Sequence, residues 1–329
     1  MIRYTLALFA VACNLLAAPA QAQTWKPTRN IEIIVGSAAG GGADLNARLM
    51  QKLMQGELAV GTSSSVINKT GGGSALSYSY LNQHPNDAHY IALSFQPMIT
   101  GPMLLSGQVP YTEMTPLAHL LNEYVGFAVR PDSAIKSARD LAERLRKDPA
   151  SVSIGVSTAL AGSNHLATAL ALKKAGVDIK RLRLVVVSGA GESIAGVMGG
   201  HLDVVASSAA GMMAHVQSGK LRGIAVTGPQ RLSGGSGAFA DVPTWKEQGV
   251  DSVYANWRGV VGPKGLSAAQ IAYWDGLLSQ LAQSNEWKQG LTRLLQEPVY
   301  LNSQETRRYL DVQHQELRGV LVELGLAKP

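Results

Sequence analysis

The stretch IEIIVGSAAGGGAD, residues 31–44, decides the fold of this chain. Its first five residues are apolar and mostly β-branched apart from Glu32, which predicts a buried strand. A glycine-rich turn follows, and Asp44 is a suitable N-cap for a helix that carries Leu45, Leu49, Leu53 and Met54 on one face. The first unit of the chain is therefore a strand, a glycine loop and a helix.

The same unit recurs along the chain. Further short apolar runs predict strands at 65–68, 90–93, 126–129, 151–156, 182–187, 203–206 and 223–226. Helices are predicted at 75–82, 138–147 and 165–175 and after residue 192. Beyond residue 265 the pattern is mostly helical, over 267–284, 285–295 and 303–324. This alternation predicts an α/β fold with mixed, mainly parallel sheets. The units are too many for one small sheet, so we expect two lobes, with the C-terminal helices packed on the first.

The composition excludes several classes of protein. Of 329 residues, 46% are hydrophobic and 16% are charged, which is typical of a folded chain and not of a disordered one. The net charge is +6, but no Lys/Arg cluster exceeds a few residues, so nucleic acid is not an expected partner. A single cysteine excludes a disulfide framework, and the sequence holds no metal or nucleotide motif, so neither a metal nor a cofactor is expected.

The N-terminus predicts export. Arg3 is followed by an apolar run over 6–18 and by Pro19-Ala20-Gln21-Ala22, the order of a secretory signal peptide over residues 1–22 with cleavage after Ala22. The lone Cys13 lies inside this segment and is followed by Asn14, which does not fit lipoprotein processing. The alternative is an ordinary buried N-terminal helix. We expect a periplasmic mature protein.

Four loop-to-helix junctions carry small and hydroxyl residues, over 39–44, 70–74, 157–165 and 188–193. Ligands of α/β folds bind at the carboxyl ends of the strands, where helix N-termini present unpaired N–H groups that favour an anion. The sequence therefore predicts a pocket for a small carboxylate. The alternative for each loop is a simple turn or a helix-packing device.

A catalytic hypothesis competes with this pocket. Ser163, His165 and Asp203 would serve an exported hydrolase or isomerase, provided that they lie within hydrogen-bond reach of one another. The simpler interpretation of His165 is a helix-entry histidine bonded to the backbone. Asp203 is expected either to cap or pair in the core or to face the pocket, and Phe95 and Trp257 to be core or pocket wall, with core favoured. A third hypothesis is an interaction protein with an empty cleft.

The order of motifs from residue 25 onward resembles that of one family, the Bug-type (TctC-like) substrate-binding proteins of the tripartite tricarboxylate transporters. The matching segments are Ile33-Ile34-Val35 with Ala39-Gly40-Gly41, Asp44 and Ala47-Arg48; Val66-Ile67-Asn68 with Gly71-Gly72-Gly73; Ser163-Asn164-His165-Leu166; Gly189-Ala190; Gly199-Gly200-His201-Leu202-Asp203; Gly223-Ile224-Ala225-Val226-Thr227 with Arg231; Asp241-Val242-Pro243-Thr244; Glu247-Gln248-Gly249; and Trp257-Arg258-Gly259 with Pro263.

The resemblance implies a monomeric periplasmic binding protein of the type II (flytrap) architecture, which is not an enzyme and hands its solute to a membrane permease or a sensor. Lobe 1 would span 23–124 and about 230–329, and lobe 2 about 125–229. The family holds a carboxylate with backbone amides, hydroxyls and waters and without a dedicated arginine. The implied ligand-binding residues are Ala39, Gly40, Gly41, Asp44, Thr70, Gly71, Ser94, Phe95, Gln96, Ser163, Asn164, His165, Gly189, Ala190 and Asp203.

This chain departs from the family pattern near the cleft. Gly36 stands where the family commonly has proline, and Val187-Ser188-Gly189 stands where it commonly has Tyr-Lys-Gly. The second change removes a tyrosine and a lysine, so a ligand cannot be transferred from a relative.

Overall fold

The computed structural model describes residues 24–157, 160–187, 189–234 and 237–328. The predicted signal peptide, residues 1–22, lies outside these residues. The strands are β1 (Ile31–Val35), β2 (Ser64–Asn68), β3 (Tyr90–Phe95), β4 (Thr115–Val129), β5 (Ser153–Ser157), β6 (Arg183–Val187), β7 (Val204–Ser208), β8 (Arg222–Val226), β9 (Ala255–Gly262) and β10 (Gln296–Leu301). The α-helices are α1 (Gly42–Gln55), α2 (Ala75–Asn82), α3 (Pro97–Leu104), α4 (Ala138–Lys147), α5 (Ser163–Lys174), α6 (Ala190–Met198), α7 (Ala209–Gln217), α8 (Ala268–Gln283), α9 (Asn285–Arg293) and α10 (Ser303–Glu323).

The strands form a path in the order β2-β1-β3-β9-β4-β7-β5-β6, with β8 and β10 also paired to β4. Among the described strands, four pairings are parallel, those of β1 with β2 and β3 and of β5 with β6 and β7. Five are antiparallel, and each of these involves β4 or β9. The sheet is mixed, as predicted, but parallel pairing is confined to its two ends and does not predominate.

Strand β4 joins two sets of strands. Over residues 115–124 it pairs with β9 and β10. Over residues 125–129 it pairs with β7 and β8. We call β1, β2, β3, β9 and β10 the first strand set and β5, β6, β7 and β8 the second strand set. The change of partners at residues 124–125 lets one continuous backbone link them.

The alternation of side chains along β1 shows how the first strand set is covered. Ile33 and Val35 pack with Ala43 and Ala47 of α1, whereas Ile34 packs with Tyr78 of α2 on the opposite face. A strand that is buried on both faces needs apolar residues at every position except where a polar partner is available. Glu32 fits that rule, because its carboxylate accepts a hydrogen bond from the Tyr80 hydroxyl at 2.9 Å.

Several elements differ from the sequence prediction. Helix α1 begins at Gly42 with Gly41 as its N-cap, so Asp44 lies inside the first turn and is not the cap. Strand β4 begins at Thr115 and not at residue 126. Helices α3 and α7 and strands β9 and β10 were not predicted. Strand β10 lies between α9 and α10, so the C-terminal region is not purely helical.

Candidate functional site

The carboxyl ends of both strand sets converge on Glu123 of β4. Ser208, at the carboxyl end of β7, donates its hydroxyl to Glu123 Oε1 at 2.6 Å. Arg258, paired in register with Phe95 at the carboxyl end of β3, donates to Glu123 Oε2 at 2.5 Å. Glu123 is only 4% exposed. The loops that follow the two strand sets therefore face each other across this carboxylate, and we call the space between them the cleft.

Asp44 organises the first two glycine loops. Its side chain is 1% exposed and accepts hydrogen bonds from the Gly40 amide at 2.8 Å, from Arg48 Nε at 2.8 Å and from Asn68 Nδ2 at 3.0 Å. Burial by itself raises the pKa of this carboxyl, but the three donors outweigh burial and the pKa lies below its usual value. Asn68 also donates to the Ser37 carbonyl at 3.0 Å, so the two loops are fixed to one another.

The residues around Asp44 remain open to solvent. Ala39 and Gly40 are exposed in the first loop, and Thr70 and Gly71 are exposed in the second. Gly40 and Gly71 have φ of +78° and +131°, conformations that L-residues rarely adopt. Asp44 itself is buried and accepts three hydrogen bonds, so it fixes the positions of the two loops without facing solvent.

The helices that begin at the cleft lack a capping side chain. Helices α2, α3 and α7 start after Ser74, Gln96 and Ser208, whose side chains do not cap them. The N-caps of α1, α5 and α6 are Gly41, Gly162 and Gly189, and none makes a side-chain cap bond. By contrast, α4, α8, α9 and α10 are capped by the side chains of Ser137, Ser267, Ser284 and Asn302. Helix N-termini with unpaired N–H groups carry positive potential and attract anions. The helices that have a glycine N-cap and no capping side chain thus begin at the cleft.

Arg258 lies against the start of α1. A Cβ placed on Gly42 would stand 3.0 and 3.1 Å from its two terminal guanidinium nitrogens, so a larger residue would press on the guanidinium. Arg258 also donates to Asn46 Oδ1 at 2.6 Å and is 7% exposed. A guanidinium beside a helix N-terminus is unfavourable alone, and the carboxylate of Glu123 compensates it.

Hydrogen bonds continue from the Arg258–Glu123 pair into the second strand set. Asn256 donates to Glu123 Oε2 at 3.0 Å and accepts from the Ser163 hydroxyl at 2.8 Å. Ser163 is the first residue of α5, which follows the loop after β5. The floor of the cleft is therefore a continuous network from α1 through β9 and β4 to α5 and α7.

Gln96 links the two sides directly. It is 1% exposed, donates to the Ala161 carbonyl at 3.0 Å and accepts from the Tyr254 hydroxyl at 2.6 Å. Ala161 has φ of +59°, a strained value for a residue with a side chain. Its neighbours hold it there, because the Ala161 amide also donates to His165 Nδ1 at 2.7 Å.

The other predicted residues near β3 are less engaged. Ser94 is fully buried and its hydroxyl is without a hydrogen-bond partner among the described residues. Phe95 is half-buried, with its ring 6.5 Å from that of Tyr78. Trp257 is 1% exposed and belongs to the core, the interpretation favoured from the sequence.

His165 is the helix-entry histidine of the simpler interpretation. It is 2% exposed, and burial lowers its pKa to about 4, so it is neutral near pH 7. Its Nδ1 is occupied by the Ala161 amide, and the Ser163 hydroxyl bonds to Asn256. Asn164 is half-buried beside them.

Asp203 does not join these residues. It precedes the amino end of β7, and its carboxylate accepts from the Ser153 amide at 2.8 Å and from the Ser153 hydroxyl at 2.6 Å, at the amino end of β5. Because β5 and β7 are parallel, this is the sheet edge opposite the loops that follow them. The expected ligand role of Asp203 is thus not supported by its position, and the Ser163–His165–Asp203 arrangement required for hydrolysis is not formed.

Gly189 and Ala190 lie at the start of α6, where a Cβ on Gly211 of α7 would be 3.8 Å from that of Ala190. They therefore adjoin the helix that begins after Ser208. Residues 158, 159 and 188 of the predicted loops lie outside the described residues.

Sequence reasoning missed Glu123, Asn256 and Arg258 as cleft residues. The available signal was the polar pair Asn256 and Arg258 within an otherwise apolar run, residues 255–262, beside a buried tryptophan. A charged residue in the middle of a buried strand requires a partner, and its partner Glu123 stands in another apolar stretch.

A cavity of about 500 Å³ lies outside the cleft, between α5, the segment 251–255 and α10. Within the described residues, no group of side chains fits a metal ion. None of the helices in the described ranges combines the length and apolar character that crossing a membrane requires.

Comparison with known proteins matches most of the chain to one protein family. The model of the tripartite tricarboxylate transporter family receptor (TctC) matches residues 47–326. A UPF0065 protein in the gbd 5′ region of Cupriavidus necator is 27% identical over 328 residues, covering 99% of this chain and 97% of the relative. Protein BugT of Bordetella pertussis is 25% identical and covers 94% and 93%.

The fold is shared with solved solute-binding proteins. R. palustris Rpa4515 with adipate superimposes with a TM-score of 0.78 at 23% sequence identity, covering 92% of this chain and 99% of that one.

Proposed function

The chain belongs to the tripartite tricarboxylate transporter receptor family, whose members are periplasmic solute-binding proteins and not enzymes, and from that premise we propose that the cleft is its carboxylate-binding site. The single observation that carries this proposal is the contrast in helix caps. None of the helices that start at the cleft has a capping side chain, and three of them have glycine N-caps, whereas the helices with capping side chains start elsewhere.

The first two loops would hold the carboxylate. The exposed backbone of Ala39 and Gly71, together with the Thr70 hydroxyl, would offer donors to an anion. The Gly40 and Gly41 amides are bonded to Asp44 and to the Ala38 carbonyl, so these glycines would serve by letting the ligand approach closely, and Asp44 keeps the loops in place. Ser94, Phe95 and Gln96 would border the ligand from β3. Ser163, Asn164, His165, Gly189 and Ala190 would approach it from the opposite side.

We place the boundary between the two lobes at the change of partners in β4. Lobe 1 would comprise residues 23–124 with about 230–329, and lobe 2 about 125–229. A ligand that contacts both lobes stabilises the closed arrangement relative to the open one. The protein would act as a monomer and present the closed form to a membrane permease or a sensor.

The leader would direct export to the periplasm and be cleaved after Ala22, which leaves a cysteine-free mature chain because Cys13 lies in the leader. The dicarboxylate of the R. palustris neighbour supports a carboxylate as the class of solute.

A thermal-shift screen tests the proposal. The mature protein is heated with small carboxylic acids and, as matched controls, with the corresponding neutral amides. Binding to the folded state raises Tm by mass action, so we expect one or more acids to raise Tm by several degrees while their amides do not. Equal shifts with acids and with their amides would refute the proposal. So would the absence of any shift in Tm, provided that native mass spectrometry shows the preparation to be free of retained ligand.

A further inference from the structure

We propose that the cavity of about 500 Å³ beside the cleft is a second binding site, which takes a small uncharged molecule composed of a hydrocarbon ring and a hydroxyl group, and that its occupant favours the closed arrangement of the cleft. This inference goes beyond the proposed function, because none of the proposed carboxylate-binding residues lines the cavity. It follows from the walls of the cavity, from a hydroxyl on them that has no partner and from the contacts that connect the cavity to the cleft.

The walls of the cavity are largely apolar. Leu170 of α5 lies on one side, and Leu317 and Val320 of α10 lie on the other. Val253 belongs to the segment between them and is 49% exposed, so an apolar surface remains open to an occupant. The volume is within the range of roughly 300–1,000 Å³ that accommodates small molecules, and covering these side chains with a hydrocarbon ring removes apolar surface from water.

One polar group on the walls has no hydrogen-bond partner. Tyr309 of α10 is half-buried, with its ring packed edge-on against His119 and Trp257. Within the described part of the chain, its hydroxyl neither donates nor accepts a hydrogen bond. Burial and then the nearby carboxylate of Glu316 raise the pKa of this hydroxyl, so it keeps its proton at neutral pH. It can therefore donate to the hydroxyl of an occupant or accept from it.

The charged side chains at the cavity do not favour an ionic occupant. Lys174, Asp251 and Glu316 carry both signs of charge, and all three are exposed. Exposed charges remain hydrated and attract a counter-charge only weakly, whereas an ion that enters an apolar cavity loses its own hydration. The cavity also adjoins the C-terminal end of α5, where Lys174 is the last residue and where the helix dipole disfavours a carboxylate. The occupant is therefore uncharged and differs from the solute of the cleft.

Tyr254 connects the cavity to the cleft. It lines the cavity, and its hydroxyl donates to Gln96 Oε1 at 2.6 Å. Gln96 in turn donates to the Ala161 carbonyl across the cleft. Helix α5 also reaches both places, because Ser163 at its start is a proposed ligand residue and Leu170 lines the cavity. A molecule held between α5 and α10 contacts both proposed lobes, so it stabilises their closed arrangement.

Calorimetry with two probes that share one ring tests the site. 2-Naphthylmethanol is uncharged, and 2-naphthylmethylamine carries an ammonium group at pH 7 in place of the hydroxyl. We expect the alcohol to bind at least about threefold more tightly than the amine. Equal or tighter binding of the amine, or no binding of the alcohol, would overturn the inference.

Two substitutions test whether the alcohol occupies this cavity. Leu170→Trp places a larger side chain there and should weaken binding about tenfold, and Tyr309→Phe removes the hydroxyl and should weaken binding about threefold without lowering Tm. Leu105→Trp is the matched control, because Leu105 is 58% exposed and does not line the cavity, and it should bind like the wild type. Binding that neither cavity variant weakens would place the probe elsewhere and contradict the inference. Should Leu170→Trp fail to fold, Tyr309→Phe decides.

The acid found by screening tests the link to the cleft. With the cleft saturated, the alcohol should bind about threefold more tightly, and by linkage the alcohol should raise the affinity for the acid by the same factor. Weaker binding in the presence of the acid would show competition for the cleft, and unchanged binding would show no coupling. Either result overturns the inference and leaves the proposed function standing. If no acid binds, the proposed function fails by itself, and small-angle scattering decides the coupling: the alcohol should reduce the radius of gyration, and an unchanged radius overturns the inference.

Discussion

His165 shows how one buried residue sets a pH dependence. Its pKa is lowered to about 4 by burial, against about 6.5 in an unfolded chain. Between these values the unfolded chain binds more protons than the native one, so the free energy of unfolding falls as the pH falls from 6.5 to 4. The contribution of His165 to this loss is about 3 kcal/mol at most.

Denaturant unfolding at a series of pH values measures this effect. His165→Gln removes the titrating group, so its free energy of unfolding should vary less with pH between 6.5 and 4 than that of the wild type. Parallel curves for the two proteins would show that His165 is not neutral and buried in solution. The acidic groups with lowered pKa, such as Asp44, also begin to lose their contribution at the lower end of this range, but they are present in both proteins and cancel in the comparison.

Substitution of Asp44 and of Asp203 distinguishes a residue that supports the cleft from one that serves the fold elsewhere. Asp44→Asn weakens the attachment of both glycine loops, so we expect acid binding to weaken about tenfold with a loss of roughly 1 kcal/mol in stability. Asp203→Asn lies at the opposite sheet edge and should change affinity less than about twofold, with a similar loss of stability. Calorimetry with the acid found by screening distinguishes them. Equal losses of affinity would contradict our placement of the cleft.

At the scale of elements, the best-predicted units were those whose pattern is local. Strand β1 and its glycine loop were predicted because an apolar run followed by a glycine-rich turn is a pattern contained in a few consecutive residues. Strand β9 was not, since Asn256 and Arg258 interrupt its apolar pattern and are stabilised only by partners far along the chain. The start of β4 was missed for a related reason, because the polar residues His119, Asn122 and Glu123 lie inside it.

The cleft, too, was predictable only in the parts that depend on local sequence. Its loops follow strands and are visible as glycine clusters, whereas the meeting of Glu123 with Arg258 depends on which strands pair. Asp203 was misplaced in the site because a residue next to a strand can lie at either edge of the sheet, and strand direction fixes which.

Two glycines in different elements should respond oppositely to alanine. A Cβ on Gly259 of β9 would stand 2.2 Å from the Ala118 carbonyl oxygen of β4, so Gly259→Ala forces two paired strands apart and should cost roughly 2 kcal/mol or more. Gly276 in α8 has no heavy atom within 4 Å of its Cβ position, and Gly276→Ala should stabilise the protein by about 0.5–1 kcal/mol. Urea unfolding compares the two. Equal effects would mean that β9 and β4 do not pair as described.

At the scale of the whole molecule, β4 joins the two strand sets at the floor of the cleft, and Gln96 joins them nearer the ligand loops. Such contacts across a cleft favour the closed arrangement, and a ligand's apparent affinity falls when the closed arrangement becomes less populated. Gln96 makes two buried hydrogen bonds, each contributing about 1 kcal/mol.

Gln96→Ala should therefore weaken acid binding about tenfold and reduce the compaction that the ligand produces. Calorimetry gives the affinity, and small-angle scattering with and without ligand gives the change in radius of gyration. Gln283→Ala is the matched control, since Gln283 is exposed at the end of α8 and, within the described part of the chain, its side chain bonds to Ser279 on its own helix. If Gln96→Ala binds and compacts like the control, closure does not depend on the bond from Gln96 to Ala161, and the ligand must select the closed form through the Glu123 network instead.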